Sequence, residues 1–273
     1  MVDIAALSSK NIAALNSLQV QALTTQQIVV LTTTQISELA EATIRALSSK
    51  QVAALETGDI ALLGTVNVKY LSSTQLRALT TAQVSNLTTD QLTSLGSSQL
   101  SQLKVEQIPG LLAGKLNDLD AATLSGLSGT QIAEITTVQL VDLTTITISH
   151  LNTKAISGLK TSQIVALTTA QVAGLNSSSV KALTVVQIAA LETRDLVVLT
   201  SSNLALLSGG QVSALSTAQI VSLTTDALSN LSTKAVAALT TSQIFALTTN
   251  QVNNLTTTAF SALTSAQVAS MQT

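Results

Sequence analysis

Apolar residues recur along this chain with a period of eight. Leu7, Leu15, Leu23, Leu31 and Leu39 open a series that runs to position 271 without insertion or deletion. Of its 34 sites, 32 are Leu, the exceptions being Ile135 and Met271. We number the octad from this residue. Position 6 is equally strict: Ile4, Ile12, Val20, Ile28, Ile36 and onward to Val268, always Ile, Val or Leu except for Phe260. Positions 2 and 3 are mostly Ser or Thr, position 5 is Gln in 19 of 34 octads, and position 8 is often Ala or Gly. The consensus is Leu-Thr-Thr-x-Gln-Ile/Val-x-Ala. All 12 basic and 14 acidic residues avoid positions 1 and 6. Those two positions are therefore read as buried, because unpaired charges are not tolerated in a core.

The polar positions predict one short helix per octad. Thr-x-x-Gln at positions 2 to 5 is a capping-box pattern, in which the hydroxyl accepts the N3 amide and the Gln side chain reaches back to the N-cap amide. The Leu before the cap and the Ile or Val at position 6 fall at the two sites of a hydrophobic staple. Leu31-Thr32-Thr33-Thr34-Gln35-Ile36 carries the set in full, as do residues 79–84 and 247–252. A single long helix does not fit, since eight residues leave the apolar stripe drifting by about 80° per repeat. A coiled coil needs an apolar period near 3.5 or 3.67. A β-solenoid fits less well, because positions 1 and 6 have opposite parity and would face opposite sides of a strand. The expected fold is an all-α solenoid of very short helices, about 34 repeats, with Leu at position 1 and Ile, Val or Leu at position 6 facing a continuous core.

One octad cannot bury its own apolar pair, so successive octads must stack, three or four to a coil. Departures from Gln at position 5 recur every fourth octad (Asn11 and Thr43; Lys115, Thr147 and Ser179; Asp195, Ala227 and Ala259), which hints at four. Residues 1–273 then form a single rod-like solenoid. A longer repeat is superposed on it. Leu55-Glu-Thr-Gly-Asp59 matches Leu191-Glu-Thr-Arg-Asp195, Asn67 matches Asn203, and Asp90 matches Asp226, all at one common offset. These rare residues point to duplicated blocks of 17 octads, about 1–136 and 137–272, with chance as the competing account. The least regular stretch is 104–114, where Lys104 replaces the cap and Pro109 removes a donor. It is read either as a local kink or as tolerated drift.

Composition narrows the chemistry. There is no Cys, and so no disulfide, thiolate metal site or Cys nucleophile. One His cannot build a multi-histidine metal site. With a net charge of −2, scattered charges, one Tyr and two Phe, the chain lacks the basic patch and stacking rings of a nucleic-acid binder. Mean hydropathy is +0.47, yet apolar runs such as 60–63 and 196–199 are far shorter than the ~20 residues of a membrane span. The first seven residues show no signal-peptide pattern, so an export signal would lie elsewhere. His150, with Ser149 beside it and Asp142 one octad earlier, spells a hydrolytic triad on paper but lacks a nucleophile elbow. Position 8 acids (Asp118, Glu134, Asp142) lack the spacing of a calcium loop. We therefore assign no catalytic, cofactor-binding or metal residues, no cofactor and no enzyme activity. A Thr ladder of the kind an ice-binding surface uses is a remote alternative, since capping already accounts for the position 2 hydroxyls.

The octad, as in residues 167–174 and 239–246, resembles tandem Leu-Thr-Thr-x-Gln-Ile/Val arrays of very large secreted bacterial surface or adhesin-like proteins. The resemblance spans the whole chain and implies an extracellular or cell-surface location and a stalk or matrix role. The expected function is a non-enzymatic structural segment, a spacer or self-associating filament element. The alternative is a protein- or glycan-binding solenoid module, although hot spots favour Trp, Tyr and Arg. Neither end carries an atypical polar repeat, so the expected partner is the chain itself, by end-to-end stacking, together with other surface or matrix components. The cap assignment is directly testable: Thr32→Ala, Thr80→Ala and Thr248→Ala should each cost about 1 kcal/mol in denaturant unfolding, and three neutral substitutions would refute it.

Overall fold

The computed structural model describes residues 3–271. Among them are 31 α-helices and two 3-10 helices, and no strand. The helices are short, mostly four to six residues, and one falls in nearly every octad. The entry is as the cap pattern predicts. Thr80 is extended (φ −73°, ψ 160°), accepts from the Gln83 N–H, and is followed by helix Thr81–Asn86. That helix ends because Leu87 is also extended (φ −57°, ψ 134°), and the next Thr repeats the entry. Two consecutive extended residues per octad thus turn the chain through a corner at every repeat.

One helix runs longer. Thr89–Leu100 joins two octads through Gly96, which takes the cap position with φ 64°. It is the only described residue with positive φ, a conformation that costs a side-chain-bearing residue free energy. The irregular stretch keeps the octad register. Val105–Gly110 is a 3-10 helix with Pro109 inside it, and the Lys104 N–H still donates to Gln107 Oε1 at 2.6 Å.

Contacts divide the chain into two compact units, Met1–Ile135 and Thr136–Thr273. Within each unit the helices in close contact are those three octads apart. In the first, Ser9–Ala13 meets Thr33–Ser37 and Thr57–Leu62 meets Thr81–Asn86. In the second, Thr169–Ala173 meets Thr193–Leu196, and Thr217–Ser222 meets Thr241–Ala246. Each unit is a solenoid of three octads per coil. The hint of four octads, drawn from the recurrence at position 5, is corrected.

Positions 1 and 6 form the core. Val20, Ile28, Ile36, Val52, Val84, Leu92, Ile164 and Ile220 are fully buried, and most position 1 leucines are almost so. In the first described coil Leu7, Leu15 and Leu23 are only partly covered while Ile12 and Val20 are buried, and in the last described coil Val252, Leu255 and Val268 are partly covered or exposed. Small residues at position 8 set the spacing between coils. A Cβ on Gly126 would lie 2.2 Å from Ser97 O, and one on Gly110 would lie 2.5 Å from Thr81 O. Gly58, inside helix Thr57–Leu62, has nothing within 4 Å. Gly126→Ala should therefore destabilise the protein by about 1–3 kcal/mol through overpacking. Gly58→Ala should stabilise it by about 0.4–1 kcal/mol, by restricting the unfolded chain. Thermal unfolding of the two variants checks the opposite signs.

Candidate functional site

The feature repeated most often is a buried polar side chain at position 5. Although polar, Gln83, Gln91, Gln51 and Gln131 are 1–2% exposed. Each such amide makes two kinds of bond. Its oxygen completes the capping box, as when Thr80 N–H donates to Gln83 Oε1 at 2.8 Å. Its nitrogen crosses to the preceding coil, where Gln83 Nε2 donates to Leu55 O at 2.8 Å and Val52 O at 2.9 Å. Those carbonyls are a position 1 and the position 6 before it. They belong to a helix C-terminus, where Val52 O already accepts the Leu55 N–H at 3.3 Å and the Leu55 carbonyl has no intrahelical partner.

The pattern holds along both units. In fifteen octads among the described residues, the amide donates to the corresponding position 1 carbonyl of the coil before. Gln27 shows the capping half alone: Thr24 N–H donates to it at 2.9 Å and its side chain is exposed, since the carbonyl it would reach falls before Met1.

The octads without Gln show what the position requires. Asn67 Nδ2 donates to Leu39 O at 2.9 Å and Asn203 Nδ2 to Leu175 O at 3.2 Å, in the same register as the Gln bonds. Lys115 places its ammonium on Ser85 O and Leu87 O, and burial lowers its pKa from the ordinary lysine value. Shorter or acidic residues fail to supply the donor. Thr43 Oγ1, Ser179 Oγ and Asp195 Oδ2 are buried without a hydrogen-bond partner, and all three are at position 5. Ala155, Ala227, Ala235 and Ala259 leave the donor out and are buried.

Sequence reasoning assigned position 5 to capping alone and missed its inward face. The signal was available: beyond the first octad three charged residues, Asp59, Lys115 and Asp195, replace Gln there, whereas the other charges fall at positions that face solvent or cap helices.

His150 is half-buried at the end of helix Thr145–His150, and Ser149 donates its hydroxyl to Ile146 O at 2.7 Å. Asp142 is exposed. Of the position 8 acids, Asp118 accepts from Thr89 Oγ1 at 3.5 Å. Among the described residues no three His, Cys, Asp or Glu side chains gather where a metal ion could be held. An open groove of about 860 Å3 passes Arg77, Thr80, Lys104, Glu106 and Gln131. On the same unit Arg45 pairs with Glu41 at 2.7 Å and stacks over the Tyr70 ring at 4.8 Å. The hydrogen bond from Arg45 lowers the Glu41 pKa, and one from Tyr70 adds to it. Among the described residues no helix is long and apolar enough to cross a membrane.

The inter-coil bonds should dominate stability at position 5. Gln83→Leu leaves the buried Leu55 carbonyl and the Thr80 cap N–H without a partner, Val52 O keeping the Leu55 N–H, and should cost about 2 kcal/mol or more. Gln27→Leu removes only a cap partner and should cost about 1 kcal/mol. Urea unfolding of the two variants measures the difference, and equal losses would refute the inter-coil role.

Comparison with known proteins agrees with the octad. No curated protein matches the chain. The family model described as the ALTTAQ repeat matches residues 2–33, 52–89, 148–177, 156–193, 188–225 and 225–257, together well over half of the length. With its octads, its capped helices and these matches in both units, the chain belongs to the ALTTAQ repeat family.

Proposed function

We propose that this chain is a non-enzymatic structural segment, a spacer or self-associating element of a secreted bacterial surface protein. The observation that carries the reading is the repetition of one polar link. In fifteen octads among the described residues the Gln donor faces back by one coil and takes a position 1 carbonyl there. A coil left uncovered therefore presents a ready edge. At one side Gln19 and Gln27 are exposed. At the other, the apolar positions of the last coil are half covered. The next octads of the same chain or a second copy fit such an edge equally well. The secreted location rests on the resemblance to surface-protein arrays, and the absence of Cys is compatible with it. Repeat solenoids lengthen by addition, because each repeat contacts only its neighbours.

One observation favours the alternative, a binding module for protein or glycan. Val197, Val221 and Phe245, each at position 7, are 43%, 38% and 55% exposed. Spacings of three octads place them one above another on consecutive coils of the second unit, whose helices are in contact. A column of this kind is what a docking face needs.

Two measurements test the main reading. Inserting three consensus octads should raise the maximum dimension in small-angle scattering by one helix layer, about 8–10 Å. Sedimentation over a wide concentration range should show reversible association. An unchanged dimension sinks the spacer, and a strict monomer at high concentration sinks the self-association.

A further inference from the structure

The two octads that carry Glu at position 2 and Asp at position 5 put a carboxyl where the fold calls for a donor. Asp59 is 5% exposed and Asp195 fully buried. In the matching register of the coil before are Leu31 and Leu167, whose carbonyls occupy the place that Gln, Asn or Lys serves elsewhere. The neighbouring octad shows how a side chain of this length fits. Asn203 accepts from Ser177 Oγ at 2.9 Å through Oδ1 and donates to Leu175 O through Nδ2. Asp195 makes the same first bond, accepting from Thr169 Oγ1 at 2.7 Å through Oδ1. Its second atom, Oδ2, is the buried oxygen without a partner. The mismatch is therefore a single hydrogen: an Asp side chain reproduces the asparagine pattern when that oxygen carries a proton. The Asn67 bond to Leu39 O shows that the reach suffices in the first unit as well.

We propose that Asp59 and Asp195 are proton-binding clasps: as neutral acids they donate to Leu31 O and Leu167 O and close the coil, and when ionised they set oxygen against oxygen and loosen it.

The surroundings agree. The helices packed against the Asp59 helix, Thr33–Ser37 and Thr81–Asn86, contain no charged residue. Those packed against the Asp195 helix, Thr169–Ala173 and Thr217–Ser222, contain none either. Lys160 stands at the far, N-terminal end of the helix that leads to Leu167. The remaining charges are on the Asp octads themselves. Beside Asp59 there is only Glu56, whose N–H donates to Asp59 Oδ2 at 3.2 Å. Burial raises the Asp59 pKa above the ordinary aspartate value, against the Glu56 N–H bond that lowers it, and the Glu56 charge adds to the rise. Beside Asp195, Arg194 Nε lies 3.8 Å from Oδ1. Its guanidinium is 68% exposed and pairs with Glu192 at 2.6 Å, and Oδ2 is buried without a partner. The raised Asp59 pKa in the folded state means that the folded chain binds that proton more tightly. The stabilisation is thus complete below the unfolded value, about 4, and is lost as pH rises through the folded one.

The test is thermal unfolding of the full chain, followed by circular dichroism at pH 4 and pH 8. The wild type is compared with the D59N/D195N double variant. Asparagine keeps the donor without needing a proton. The two proteins should melt together at pH 4, and the variant should melt about 2–4 °C higher at pH 8. The D59Q/D195Q variant, which restores the residue of 19 other octads, should share that advantage at pH 8 and covers the case in which asparagine folds poorly. An offset that is the same at both pH values, or a wild type that melts higher at pH 8, would overturn the proposal. So would calcium chloride raising the melting point of the wild type alone at pH 8, since the carboxyls would then be holding a metal ion and not a proton.

Discussion

The structure depends on one amide. A short helix ends in nearly every octad, and the position 1 carbonyls that follow these ends have no intrahelical partner. Burying them between stacked coils would cost about 1–3 kcal/mol for each unsatisfied group. The position 5 glutamine removes that cost with a single side chain. Its oxygen takes the cap N–H of its own helix, and its nitrogen gives hydrogens to two carbonyls of the coil before, as Gln243 does with Leu215 O at 2.6 Å and Val212 O at 2.9 Å. Starting one helix and tying it to another are one interaction. Leu and Ile or Val can then fill the centre without further polar partners.

This constraint accounts for the odd composition. A core built only from positions 1 and 6 needs no aromatic residue, and hydroxyls at position 2 suffice to begin each helix. It also orders the exceptions. Asn67, Asn203 and Lys115 keep a donor by other chemistry, Ala155 and Ala235 abandon it, and Asp195 reverses its sense. Such substitutions are survivable because coils on either side keep their own links, so a solenoid loses a local contact and not its fold. Exposed apolar residues such as Val221 and Phe245, by contrast, answer to no internal requirement.

Much of this is legible in the residues alone. Cap, box and staple are local, so Thr80 and Gln83 announce the helix start by their spacing. Burial of Leu87 and Val84 follows from the positions that charges avoid. The second bond of Gln83 is not legible, because its partners lie a full coil back and consensus residues match at every multiple of eight. Four octads per coil was suggested by Thr43 lying four octads after Asn11, yet the helices stack at three. The corner made by two extended residues, such as Leu87 and Thr88, sets how far the chain turns at each octad, and no residue type records that angle.

The amino-acid sequence by itself determined the unit: eight residues, one capped helix, two buried apolar side chains, and a solenoid as the only way to cover them. Local hydrogen bonding and hydrophobic burial act within the span of one repeat, so one repeat is enough to specify them. Tertiary structure alone decided the number of octads per coil, the inward face of position 5, and the meeting of Asp195 with a carbonyl that asks for a hydrogen. Those depend on which coil lies against which, and that arises only when the corners have been summed through a full turn.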